Sequence, residues 1–242
     1  MMIQPAARGR VLALSLLAAA ALSACGGGDP MEGLWTGTMG AGRDVNAIVL
    51  DDGTYYMLYS RPGNPAAIGG LVQGTGDFKA AKFSSPDSRD FNWEGAGTTV
   101  ANVAGRIKTG PKPGVTGTVN GTNTFSVSPA DLFDRDAQLA TIAGNHTGNV
   151  VFALGVRPAT FAVTATGQVS TSINGCALTG QVTPRPFSST YDLSMTFGGY
   201  PCVFPGAQFN GVAYFREDQR LLQAAVVHPS RTQAIAFSGI KQ

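Results

Sequence analysis

Short β-prone runs, interrupted at regular intervals by residues that demand a turn, constrain this chain more than any other feature. Residues 45–50, the triplet Asp51-Asp52-Gly53 and residues 54–59 read as a hairpin, with Asp-Gly supplying the positive φ of a type I′ turn. Asn174-Gly175 is a second signal of the same kind. Residues 209–215, the polar stretch 216–219 and residues 220–227 make a third hairpin with a longer loop, and residues 232–240 are placed to close a sheet. Gly supplies 32 of 242 residues and charged groups only 13%, which suits an exported β-protein with many turns. A 43% hydrophobic content is enough for a core and is not a disordered composition. Helical spacing is confined to residues 130–143, where Ser128 or Asp131 would cap a short helix carrying Leu132, Leu139 and Ile142.

That helical stretch divides two similar halves. Gly33-Leu34-Trp35-Thr36-Gly37 has a counterpart in Gly144-Asn145-His146-Thr147-Gly148, and in each half a strand, a glycine (Gly53, Gly167) and another strand follow. The expected fold is therefore all-β: two small antiparallel β-barrel-like modules joined by a short helical linker. The expected boundaries are 32–130 for the first module, 131–143 for the linker and 144–242 for the second, each module near the usual size of a domain.

The N-terminus carries a different signal. Arg8 and Arg10 precede an apolar run over residues 11–22, too short to span a bilayer comfortably, and the run ends in Leu22-Ser23-Ala24-Cys25. All four positions resemble the lipobox of bacterial lipoproteins. The resemblance implies a signal peptide over 1–24, a diacylated Cys25 as the mature N-terminus, and a Gly-rich tether over 25–31. Two or more acyl chains anchor stably where one does not, at roughly 0.8 kcal/mol per buried methylene. The partner so implied is a lipid bilayer, and Gly26 after Cys25, in place of aspartate, points to the outer membrane. Six residues from Cys25 reach at most roughly 20 Å, so the folded part begins close to the lipid surface. A cleaved signal with an incidental cysteine, or an uncleaved anchor, is the competing reading.

Loss of the signal also removes Arg8 and Arg10 from 17 basic residues, leaving 15 against 15 acidic ones, a formally neutral chain. Neutrality argues against nucleic acid as a partner, which requires clustered basic charge. With Cys25 lipidated, Cys176 and Cys202 remain as an even pair in an oxidising compartment, and a disulfide is expected.

Gly33-x-Trp35 at the head of an all-β module looks like the first strand of calycin-type barrels, the lipocalin and avidin group, and the short glycine-rich strands are similar to barrel lipoproteins of the factor H-binding and transferrin-binding kind. The resemblance implies binding of a protein or small apolar ligand. The second half departs from it, with His146 where Trp35 stands.

Candidate chemistry is sparse. His146 and His228 are the only histidines, and no Gly-x-Ser-x-Gly elbow is present. His146 is expected to fill a barrel end and His228, before Pro229, a surface turn. No cofactor, metal or catalytic set is expected; Asp131, Asp134 and Asp136 lack the glycine and glutamate of a calcium loop. Trp35, Tyr55, Tyr59, Phe91, Trp93, Tyr191, Phe197, Tyr200, Phe209 and Tyr214 either fill barrel interiors or line an apolar cup. Phe204, between Val203 and Pro205, is a candidate partner anchor. The functional expectation is a membrane-anchored envelope protein with a non-catalytic binding or accessory role; the alternative is an envelope hydrolase or hydrolase inhibitor.

Overall fold

A computed structural model describes residues 31–130 and 136–242. The signal and tether, Cys25 and the residues Asp131, Leu132 and Asp134 lie outside the described residues.

The chain is all-β and forms two closed, eight-stranded antiparallel barrels. The first uses β1 (Gly33–Met39), β2 (Arg43–Val49), β3 (Thr54–Arg61), β4 (Asn64–Thr75), β6 (Lys82–Asn92), β7 (Gly97–Lys108), β8 (Gly114–Val119) and β9 (Asn123–Pro129). Pairing of β4 with β6 closes it, and the three-residue β5 (Asp77–Lys79) extends the start of β6. The second is an uninterrupted meander: β10 (Gly144–Phe152), β11 (Gly155–Val163), β12 (Gln168–Ile173), β13 (Cys176–Pro184), β14 (Thr190–Phe197), β15 (Gln208–Arg216), β16 (Leu221–Val227) and β17 (Ala234–Lys241). In both barrels the last strand pairs with the first, β9 with β1 and β17 with β10.

The repeat seen in the sequence is carried through in atomic detail. Trp35 Nε1 donates to the Met31 carbonyl at 2.9 Å, and His146 Nε2 lies 2.7 Å from the Ile142 carbonyl, in each case four residues upstream. Met31 and Ile142 are both buried, so each barrel is plugged by the residue that accepts this bond. Gly53 N donates to Leu50 O, and Gly167 N to Thr164 O, both at 3.0 Å; Gly76 N and Val182 N then donate to the carbonyls of Gly53 and Gly167. A Cβ on Gly37 would overlap the Ser126 carbonyl, and one on Gly148 the Ser238 carbonyl, so both glycines let the first strand approach the last.

Three expectations are corrected. The linker contributes one turn of helix, α1 (Leu139–Ile142), with no side-chain cap, and Ser128 belongs to β9 instead. The turn is held from the barrel: Tyr191 Oη donates to Gln138 O at 2.9 Å and Lys241 Nζ to Thr141 O at 2.7 Å. The Asp51-Asp52-Gly53 turn is not type I′, because only Gly53 has positive φ (77°); Leu50 N donates to Thr54 O and Gly53 N to Leu50 O, which describes a three-residue loop with a glycine bulge. Asn174-Gly175, with φ of 51° and 82°, does have positive φ at both central positions.

The barrels pack side by side through their outer faces. One apolar patch joins Leu58, Ile68, Leu71 and Phe91 to Val151, Ala225, Val227 and Ala234; another joins Leu34, Ile48 and Leu50 to Val212 and Tyr214. Consequently β16 is buried on both faces and reads as a continuous apolar run.

Candidate functional site

The aromatic residues divide between the barrel interiors and the outer walls. Trp35, Tyr55 and Tyr59 do lie inside the first barrel, and Tyr191, Phe197 and Phe209 inside the second. Phe91, Trp93 and Tyr214 instead lie on the outer walls, in the apolar patches between the barrels, and Tyr200 is 98% exposed on the loop before β15. These four are corrected: period-two alternation states which residues share a face, not which face is inside. Each interior retains an apolar cavity of only about 40 Å³. Side chains fill both barrels, as in other small barrels.

Polar groups inside the first barrel are satisfied by one another. Tyr55 Oη, Ser88 Oγ and Ser85 Oγ form a buried chain at 2.5 and 2.9 Å, ending on Thr75 O. Tyr59 Oη donates to Asp90 at 2.8 Å, and Arg43 lies over the Tyr59 ring while bonding Ser60 O and Glu94. Burial raises the Tyr59 and Asp90 pKa values, the former further through the Asp90 charge.

Among the described residues, neither histidine has a carboxylate partner. His146 is fully buried; its Nε2–H donates to Ile142 O, its ring meets Phe215 edge-on at 5.7 Å, and Nδ1 has no hydrogen-bond partner among the described residues. Burial, aided by the nearby Lys241 charge, holds its pKa below the usual value. His228 sits in the turn before β17, where Nδ1 lies 2.7 Å from Ser230 Oγ and accepts from Ser230 N at 3.2 Å. Among the described residues, no group of three or more His, Cys, Asp or Glu is positioned to hold a metal ion.

The disulfide joins Cys176 and Cys202, and staples the start of β13 to the loop before β15. Phe204 in that loop is not a free anchor; it packs on Phe197 and Phe209, both at 5.5 Å, and closes the barrel end.

An open, polar concavity lies between the barrels. A crevice of about 750 Å³ runs between β1, β2 and the start of β4 on one side and β10, β15, β16 and β17 on the other. Both copies of the repeat face it, Thr36-Gly37 from the first barrel and Thr147-Gly148 from the second. Thr36, Asp44, Asn46, Asn149, Gln219 and Ser238 line it and make no side-chain hydrogen bond among the described residues. Arg216 supplies a cation, its nearest carboxylate oxygen (Asp218) at 3.9 Å. An adjoining recess of about 420 Å³ shares Thr36, Asn46 and Arg216. Tyr214 donates to Gln223 at the crevice floor, both groups buried. Sequence reading missed this site because its residues come from seven strands, and none is unusual alone.

Arginines clamp the barrels together on either side of the apolar patches. Arg231 bonds Gln73 Oε1 and Gln73 O (both 3.1 Å) together with Asp87 O (2.7 Å) and Asp87 Oδ2 (3.0 Å). Arg185 bridges Asp51 of the first barrel and Asp192 of the second, both at 2.5 Å. The crevice is thus a feature of a fixed pair of barrels.

Comparison with known proteins finds no family model that matches this chain and no curated protein of significantly similar sequence.

Proposed function

We propose that this chain is a lipid-anchored protein of the bacterial envelope with a non-catalytic binding role, and that its ligand enters the crevice between the barrels. One observation carries the site: both interiors are filled, while the crevice holds about 750 Å³ lined by hydrogen-bonding groups without partners. Thr36, Asn46 and Ser238 are half-buried there and lose free energy when left unpaired, so a lining of amides, hydroxyls, the Asp44 carboxylate and the Arg216 guanidinium suits a polar ligand over an apolar one. A calycin-like reading of the barrels is supported by their eight-stranded up-and-down closure and by Trp35 inside the first barrel, bonded to the plug residue Met31, although the cup of that group has no open counterpart here. The lipobox at Leu22–Cys25 supports the anchor, and Gly26 after it, in place of aspartate, supports the outer-membrane location.

Two experiments test this. Mass spectrometry of protein extracted from envelopes is expected to find residue 25 as N-terminus carrying acyl chains; an unmodified sulfur ends the anchored reading. A photo-crosslinker at Asn149 is expected to give a discrete adduct in envelopes, blocked by Asn46→Trp; labelling indifferent to Asn46→Trp would sink the crevice as a site.

A further inference from the structure

A neutral chain can still be locally charged, and one rim of the first barrel is. Lys79 lies directly opposite Lys82 across β5 and β6, and Lys82 lies opposite Arg106 across β6 and β7. Three cations therefore occupy one row over three adjacent strands, an arrangement that like-charge repulsion disfavours in a sheet. Lys108 follows on the same face of β7, and Lys112 in the turn to β8. All five are exposed, and four of them are among the five lysines of the whole chain. Only Lys79 has an ion-pair partner among the described residues, Asp77 at 3.2 Å.

The position of this row is informative. In the antiparallel order of the barrel, β1, β3, β6 and β8 start at one rim, where β7 and β9 end. The basic row sits at that rim, and the chain enters the barrel there through Met31 and Glu32. Of the described acids at this rim, Asp77 stands in the row itself and pairs with Lys79, whereas Glu32, Asp51 and Asp52 belong to the β1–β3 side, across the barrel from β6–β8, and Asp51 is held by Arg185. Lys82 and Arg106 also border an outer groove of about 880 Å³ whose walls include Thr116, Thr118, Thr124 and Ser126, so hydroxyl donors continue the row of cations.

We propose that this rim docks on anionic lipid headgroups of the leaflet that holds the Cys25 acyl chains, fixing the orientation of the barrels on the membrane. The identity of the leaflet rests on the lipid-anchored reading; the affinity of the rim for headgroup phosphate does not. A tether reaching at most roughly 20 Å keeps the rim close to the surface. The cations then act within a few Debye lengths of it, about 8 Å each at physiological salt.

The test uses the mature chain from residue 25 with Cys25→Ser, which carries no acyl chain. It is expected to sediment with phosphatidylcholine vesicles that contain phosphatidylglycerol and not with phosphatidylcholine alone. Each cation near such a surface strengthens binding by roughly fivefold, so Lys79→Gln/Lys82→Gln/Arg106→Gln should weaken it by roughly a hundredfold. The exposed substitutions relieve repulsion, and an unchanged or raised melting temperature will show that the variant is folded; Lys108→Gln/Lys112→Gln, in and beside a turn, is the second variant. Equal binding to both vesicles, no binding to either, or binding unchanged in both variants overturns the proposal, as does retention on DNA without vesicle binding. Vesicle binding by the rim together with an unmodified Cys25 in native protein would uphold this surface while removing the anchor.

Discussion

Trp35 and His146 hold equivalent posts in the two barrels: each ring nitrogen bonds the carbonyl of the plug residue four positions earlier, Met31 or Ile142. The indole has no second nitrogen to satisfy. The imidazole does, and His146 Nδ1 is buried without a partner among the described residues. The histidine that stands where the first barrel has a tryptophan thus places a titratable group at a dry barrel end, where its charged form is disfavoured.

A pH dependence follows. The folded-state pKa of His146 is depressed below its unfolded value of about 6.5, so the neutral form favours the native state. Its contribution is whole above about pH 6.5 and declines as pH falls toward the depressed value, with a slope of at most about 1.4 kcal/mol per pH unit. Asp90, whose carboxyl is raised by burial, works in the opposite sense at lower pH, so the measurement belongs in an Asp90→Asn background. Denaturant midpoints there should fall between about pH 7 and pH 5.5, and His146→Phe should flatten the fall.

Arg231 makes four hydrogen bonds across the interface, two of them to Asp87. Arg231→Ala should cost roughly 2 kcal/mol, given partial exposure, and Arg231→Lys should restore little because an ammonium cannot reproduce the fork. Calorimetry is expected to split one unfolding transition into two as the barrels uncouple. A single, unshifted transition would contradict the clamp.

Gly37→Ala and Gly148→Ala should be comparably harmful, since each added methyl meets a backbone carbonyl of the last strand. A loss of about 1–3 kcal/mol or more is expected. Gly199→Ala, with open space around its Cβ, is the neutral control for the same chemical denaturation series.

Reduction of Cys176–Cys202, which are 26 residues apart, removes a constraint on the unfolded chain of about 3.5 kcal/mol. Cys176→Ala/Cys202→Ala should lower the melting temperature to the value of the reduced protein and leave the Arg231 effect unchanged, because the two sites are independent.

Much of the β architecture was legible residue by residue. The Asn174-Gly175 turn, the β15–β16 hairpin and the closing strand β17 announce themselves through turn chemistry and alternation. The aromatic assignments were less so. Tyr55 and Tyr59 point inward and Tyr56 between them points toward the other barrel, where burial, with the Asp52 and Asp192 charges, pushes its pKa up to about 12. All three look alike in the sequence, because both faces of β3 are dry.

The amino-acid order alone determined that this is a turn-rich, duplicated β-protein with a tetrapeptide that resembles a lipobox and one cysteine pair to join, since those properties depend on local backbone preference and short spacings. Tertiary structure alone decided that the barrels are filled, that Phe91, Trp93 and Tyr214 serve the seam between them, and that a polar crevice and a cationic rim exist. Each of those is built from strands far apart in the chain, and only barrel closure and docking bring their side chains to one surface.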